Sequence, residues 1–241
     1  VKREAIVAID GPAASGKSTT AKMAAEEVGY LYLDTGAMYR AVTLKALRLR
    51  APVDDEISLA RLAGEAVIDF VAEGGAVRVF LDGEDVTDAI RSPDVDAHVS
   101  LVSSFAGVRR ELVAEQRRMA RDGGIVCEGR DIGTVVLPDA DLKFFIEATL
   151  DERARRRQKD LIEKGTPVTL EQVEEHLDSR DRFDSEREES PLTRAPDAVL
   201  IDTTALTIPE QVALVVDRIR KWQRAAQRGA SESRMADEAE S

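Results

Sequence analysis

The 241-residue chain has one cysteine, Cys127, and two histidines, His98 and His176. A disulfide framework and a thiolate metal cluster are thereby excluded, and the two histidines have no metal-ligand spacing. Aromatic residues make up 4% of the sequence, too few for a platform on which bases stack. No apolar run approaches the ~18 residues of a membrane span. The opening VKREAIVAIDGP lacks the apolar stretch and small-residue cleavage site of a signal peptide, which makes the cytoplasm the expected compartment. Lysine is also scarce, at 8 residues against 26 arginines. Acids outnumber bases 46 to 34, a net charge of −12. That balance argues against a nucleic-acid polymer or an anionic membrane as partner, but leaves room for a small anion in a local basic cleft. The arginine excess suits such a cleft, because the planar guanidinium grips phosphate or carboxylate with two bonds at once.

Apolar runs alternate with segments of helical period. Residues 4–10 (EAIVAID), 30–33, 125–127, 142–146 and 198–201 read as strands, with helices at 17–28 and 38–48. Buried strands alternating with helices predict a doubly wound α/β fold, a five-stranded parallel sheet with helices on both faces and ligands at the carboxyl ends of the strands. Residues 67–86 break the pattern: period-2 runs around the turn dipeptides Gly74-Gly75 and Asp82-Gly83 predict a small antiparallel insertion. Between 151 and 190, 22 of 40 residues are charged. A helix there has little face to bury, so the segment is expected to be mobile or to close over a ligand. The expected organisation is a core of residues 1–60, 122–150 and 191–224, an insertion at 61–121, an Arg-rich helical lid at 151–190 and a disordered tail at 225–241.

Gly11-Pro12-Ala13-Ala14-Ser15-Gly16-Lys17-Ser18 satisfies G-x-x-x-x-G-K-[ST] between an expected strand and an expected helix. The glycines let successive N–H groups turn toward phosphate oxygens, and the helix N-terminus that continues through Thr19 adds partial positive charge. Lys17 is placed for the outer phosphates and the Ser18 hydroxyl for Mg²⁺. The motif indicates a nucleoside triphosphate without separating a kinase from a GTPase or a motor; a guanine-reading Asn-Lys-x-Asp loop is absent from the sequence.

Asp34-Thr35-Gly36 ends the second strand, where Thr35 and Arg40 either face a second anion or simply cap and decorate a helix. Asp34 is a further candidate for the metal. Glu128-Gly129-Arg130-Asp131 ends the third core strand. Its Arg130 either pairs with Asp131 or, with Arg40, offers a fork to a phosphate monoester. Arg180, Asp184 and Arg187 share a helix face, as an ion-pair ladder or a ligand surface. Arg153, Arg156 and Arg157 share another, on which like charges repel unless an anion arrives. Transfer to a phosphate acceptor suits this set. The acceptor is already anionic, its second pKa being about 6, so positioning and charge neutralisation replace a strong base.

The segments AIDGPAASGKST, LDTGAMYRA, FLDGEDVTDAIRSP, EGRDIGTVVLPDADLKFFIEA and SRDRFDSEREESPLTRAPDAVLIDT, in this order, make the chain resemble the bacterial cytidylate kinases from residue 4 to about 223. The resemblance implies transfer of the γ-phosphoryl group of ATP to CMP or dCMP with Mg²⁺. A monomer with no nucleic-acid polymer or membrane partner is expected. The resemblance also implies an ATP site of Gly11, Pro12, Ala13, Ala14, Ser15, Gly16, Lys17, Ser18, Thr19 and Arg156, and catalytic roles for Lys17, Arg130, Arg153 and Arg157. CMP phosphate falls to Arg40 and Arg130, beside Thr35 and Gly129. Cytosine falls to Ser100, Arg109 and Asp131 with Arg187, and ribose to Arg180 and Asp184. Spacing alone does not single out Ser100 or Arg109. A carboxylate such as Asp131 matches the exocyclic amine of cytosine and leaves uracil unmatched. Ser18 stands where many relatives have Gly and Thr35 where some have Ser. A kinase for another monophosphate, such as UMP or AMP, and a P-loop binding module with little turnover remain the alternatives.

Overall fold

The computed structural model describes residues 4–73, 76–163 and 165–239, with Ala72, Ala76 and residues 229–239 described by backbone alone. Its centre is a five-stranded parallel sheet. β1 (Ile6–Asp10) lies between β6 (Ile125–Gly129) and β7 (Leu142–Glu147), while β2 (Leu31–Asp34) and β8 (Val199–Asp202) form the edges, giving the order β2-β6-β1-β7-β8. The expected strands are all present, displaced by one or two residues at their ends.

The sheet alternates its apolar side chains between two cores. Val7, Ile9 and Val126 pack against α1 (Lys17–Val28) and α8 (Ile208–Ala239), together with Phe144, Ile146 and Ile219. Ala8, Ile125 and Cys127 point the other way, toward α2 (Thr35–Arg48), α3 (Glu56–Gly64) and α5 (Ala106–Ala120). A period of two along strands covered on both faces gives this result. Each large aliphatic or aromatic side chain fully buried here contributes about 1.5–3 kcal/mol. α1 and α8 are also joined by a buried hydrogen bond of 2.9 Å from the Thr20 hydroxyl to Gln211 Oε1.

The insertion is a three-stranded antiparallel sheet of β3 (Ile68–Glu73), β4 (Ala76–Leu81) and β5 (Glu84–Asp85). Asp82 and Gly83, with φ of 52° and 84°, make the tight left-handed turn expected of an Asp-Gly pair. The Gly74-Gly75 turn lies outside the described residues. A short 3₁₀ turn, Ala89–Arg91, leads into α4 (Pro93–Val102), which packs on α2.

The charged segment after 150 forms α6 (Leu150–Glu163) and α7 (Leu170–Glu186), which enclose a small cluster of Ala154, Val173 and Leu177 that also reaches Ala13 and Ala14 of the phosphate loop. A few well-spaced apolar positions suffice once they meet each other, and Thr169 with Gln172 forms a capping box that starts α7. The tail, read as lacking regular structure, instead continues α8 to Ala239. Its Ala, Arg, Gln and Glu residues have high helix propensity, which does not depend on an apolar stripe. Glu240 and Ser241 lie outside the described residues.

Cys127 has no exposed surface, and burial together with the nearby Asp10 charge pushes its thiol well above the usual range. Thiol reagents are therefore expected to label the native chain far more slowly than the urea-unfolded chain, which should take up one label. Rapid labelling of native protein would contradict this placement.

Candidate active site

The carboxyl ends of β1, β2 and β6 meet at a cleft of about 260 Å³ that α4, α6 and α7 close from the other side. The phosphate loop forms its floor. A side chain at Gly11 (φ 153°) would place its Cβ 2.0 Å from the Ile146 carbonyl oxygen, so the loop starts against β7 with no room for one. Ala14 and Gly16 are left-handed, with φ of 59° and 89°, as a concave nest of N–H groups requires. Three loop carbonyls are held by side-chain donors, one from the loop itself and two from outside it. Lys17 Nζ donates to Pro12 (3.4 Å), Arg153 Nη1 to Ala13 (3.2 Å) and the Thr203 hydroxyl to Ser15 (2.8 Å).

Beside the loop, the Ser18 hydroxyl donates to Glu128, 2.7 and 2.8 Å from its two oxygens, and Tyr32 donates to the same carboxylate at 3.0 Å. Burial drives Glu128 and Lys17 toward their neutral forms. Glu128 rises above the ordinary carboxylate range, a shift that Asp34 enlarges and Lys17 opposes. Lys17 falls to about 8, lowered further by Arg130. Asp34 caps α2, accepting from the Ala37 N–H at 2.9 Å, and lies 3.6 Å from Arg91. Ser18, Glu128 and Asp34 thus present hard oxygens beside the loop, a donor set that fits a divalent cation shared with phosphates. Among the described residues, no group of three or more acidic, histidine or cysteine side chains is arranged to hold a metal by itself.

Arginines line the rest of the cleft, most of them paired. Arg130 Nε donates to Asp184 at 2.8 Å. Burial works to raise the Asp184 carboxyl, but Arg130 and Arg180 hold it below the usual value. Arg109 pairs with Asp131, both almost wholly buried, and stacks 5.6 Å from the centre of the Tyr39 ring; Arg187 approaches Asp131 to 3.7 Å. Arg40 pairs with Asp96 of α4. Arg180 differs: its Nε is buried without a hydrogen-bond partner among the described residues. Burial, with Arg130 close by, lowers it to about 10. The Thr35 hydroxyl donates to the Glu128 carbonyl at 2.7 Å, tying the β2 and β6 ends together, and a Cβ at Gly129 would strike that hydroxyl at 2.7 Å.

The expected residues Ala13, Ala14, Lys17, Ser18, Asp34, Thr35, Arg40, Ser100, Arg109, Gly129, Arg130, Asp131, Arg157, Arg180, Asp184 and Arg187 all line this one cleft. Arg153 and Arg156 do not. Arg153 is turned behind the loop, on the Ala13 and Ala148 carbonyls and 2.6 Å from Asp181. Arg156 donates to the Thr203 carbonyl at 2.7 Å, at the rim near Gly16. Sequence reasoning missed Asp96, Glu128, Tyr39 and Asp10. Glu128 could have been found as the acid preceding Gly129 at a strand end. Asp96 resembles any acid in the first turn of a helix and carries no such signal.

Asp10 positions the Arg130-Asp131 turn. Its two oxygens each accept a backbone N–H, from Ile132 and Gly133, at 2.8 Å, at the entry to a single wide turn, Ile132–Val136.

A parallel sheet whose first strand runs through a G-x-x-x-x-G-K-S loop into a helix has the P-loop form. The model of the cytidylate kinase family matches residues 7–221, and the chain belongs to that family. The cytidylate kinase of Geobacillus thermodenitrificans is 48% identical over 92% of this chain and 99% of its own length. That of Desulforamulus reducens is 52% identical over 89% and 96%. A solved structure of an uncharacterized protein from Eubacterium ventriosum covers 90% of this chain and 99% of its own with a TM-score of 0.51 at 12% identity, a likeness of fold alone. Kinases of this kind require a nucleotide and a divalent metal. Among the described residues, no helix is long and apolar enough to cross a membrane.

Burial pushes the Asp10 carboxyl up to about 6. The folded chain then holds a proton that the unfolded chain releases, so this contribution to stability is complete below about pH 4 and is lost as pH rises to about 6. Asp10→Asn removes the titration. In urea unfolding, the stability difference between the parent and Asp10→Asn should shrink over that window; a constant or growing difference would refute the assignment.

Proposed function

We propose that this chain transfers the γ-phosphoryl group of ATP to CMP or dCMP, giving ADP and CDP or dCDP. One observation carries the reading: a cleft that starts at the phosphate loop ends in the buried group Arg109, Asp131 and Arg187 over Tyr39. That end has the donors and the acceptor for one face of a cytosine, including a carboxylate for its exocyclic amine.

In this reading the triphosphate lies in the loop, with Lys17 at its outer phosphates and Arg156 at the rim. Ser18, Glu128 and Asp34 would hold Mg²⁺, which would supply charge neutralisation at the phosphate oxygens. The acceptor's phosphate sits between Arg40 and Arg130, close to Thr35 and Gly129, with its sugar against Arg180 and Asp184. Ser100, on the cleft face of α4, completes the contacts to the base. Arg157 of α6 faces the point of transfer. Arg153 supports the loop from behind by holding the Ala13 carbonyl, so its effect on the reaction passes through that backbone.

No general base is needed, because the acceptor oxygen is already anionic at neutral pH. The work of the site is to hold two negative groups in line and to neutralise the charge that spreads at transfer. In this reading the chain acts as a monomer on small molecules in the cytoplasm.

ADP release measured with CMP, dCMP, UMP, AMP and GMP tests the reading. CMP and dCMP should be the preferred acceptors; equal rates with UMP would remove the specificity claim, and ATP binding without turnover would favour a binding module. Lys17→Ala should lower kcat by about a hundredfold or more with the fold intact, and a near-normal kcat would refute its role. Asp131→Ala should lower the ratio of kcat/KM for CMP over UMP by about tenfold or more. Equal losses on both would mean that Asp131 serves only to orient Arg109 and Arg187.

A further inference from the structure

Asp96 stands on the inner face of α4, one turn before Ser100, and lines the cleft. Its Oδ1 takes Arg40 from α2, and its Oδ2 faces Arg157 from α6 at 3.7 Å. Arg180 of α7 is close enough for both Arg40 and Asp96 to influence its charge, and its Nε has no partner among the described residues. Arginines from two helices therefore meet on one carboxylate at the end of the cleft assigned to the acceptor's phosphate, and Arg180 from a third lines the same cleft. A carboxylate offers a guanidinium the same pair of oxygens that a phosphate offers.

We propose that Asp96 occupies the acceptor-phosphate position of the substrate-free protein, and that the phosphate monoester must displace it from Arg40. The proposal rests on the kinase reading above. Without an anion, guanidinium groups gathered in a cleft repel one another, and Asp96 relieves that repulsion. A phosphate monoester brings about two negative charges and three oxygens against one charge and two oxygens. It therefore displaces the carboxylate, whereas singly charged anions gain little by entering. Displaced from Arg40, Asp96 remains within reach of Arg157, so the acceptor's arrival strengthens a link between α4 of the insertion and α6 of the lid. Asp96 is thus a specificity-determining residue that acts by competition. It lowers affinity for every ligand of Arg40, least for doubly charged ones.

The test is calorimetric titration of inorganic phosphate, and separately of CMP, into the ligand-free full chain and its Asp96→Asn and Asp96→Glu variants, with KM for CMP measured in parallel. Loss of a partly exposed, competing ion pair sets the scale of the effect at about threefold to tenfold. Asp96→Asn should bind both ligands tighter by that factor and show a correspondingly lower KM, with the gain shrinking at high salt. Asp96→Glu, which restores the charge, should stay within about twofold of the parent. A damaged pocket does not gain affinity, so tighter binding is an outcome that a merely structural role cannot produce. Unchanged or weaker binding of both ligands by Asp96→Asn would overturn the proposal. The phosphate titration decides it independently of catalysis, and CMP turnover by the unaltered chain decides the reading on which it rests.

Discussion

Unscreened positive charge in a buried cleft is the constraint around which this molecule is arranged. Two phosphate-bearing ligands in line demand many cations close together, and without ligands those cations must be neutralised by the protein itself. The chain answers with carboxylates placed on most of these arginines, singly or shared between two. Asp184 stands on Arg130, Asp131 between Arg109 and Arg187, Asp96 between Arg40 and Arg157, and Asp181 on Arg153. The acidic net charge of −12 and the arginine-rich cleft are therefore compatible. Part of the acid excess is spread over the surface, and part is used to make a cationic cleft stable before its substrates arrive.

The parallel sheet makes this crowding possible. Three strand ends bring Asp10 with the phosphate loop, Asp34 with α2, and Glu128 with the Arg130-Asp131 turn to one edge. Short bonds fix them to one another: Asp10 holds the N–H groups of Ile132 and Gly133, the Thr35 hydroxyl holds the Glu128 carbonyl, and Ser18 holds the Glu128 carboxylate. Rigid placement matters, because transfer between two phosphates depends on distance and alignment more than on acid–base chemistry. The apolar cores on both faces of the sheet keep that edge in place.

Much of this was legible in the sequence because it is carried by local pattern. The strand–loop–helix context of Gly11 to Ser18 fixes the phosphate loop, and the Asp82-Gly83 turn fixes the insertion's second hairpin. The resemblance to the cytidylate kinases directed attention to Ser100 and Arg109, which spacing alone does not single out. Contacts between distant segments were not legible. Arg153, Arg156 and Arg157 do share a helix face as their spacing requires. Which of them looks into the cleft, however, depends on the Ala13 and Thr203 carbonyls, 140 and 47 residues away. The acid on α4 that takes Arg40 lies 56 residues from it. The helix of the tail, which continues α8 to Ala239, was not legible in hydropathy, because Ala-rich sequence favours helix by backbone and side-chain entropy without an apolar stripe.

The pairing of most of these arginines with carboxylates also bears on substrate binding. Where a guanidinium exchanges an internal carboxylate for a ligand phosphate, the net gain is a difference between two ion pairs, not the full strength of one. Such a site binds its substrates with moderate affinity and keeps the larger gain for the point at which charge builds up between donor and acceptor. Arg180, like Arg187 at its Nη2, has a buried nitrogen, its Nε, with no hydrogen-bond partner among the described residues: its interaction with a ligand costs no pre-existing hydrogen bond at that nitrogen. It lies on α7, which packs on α6 and touches α4. A cation open to an anion at that nitrogen is therefore carried by a helix that packs on both α6 and α4.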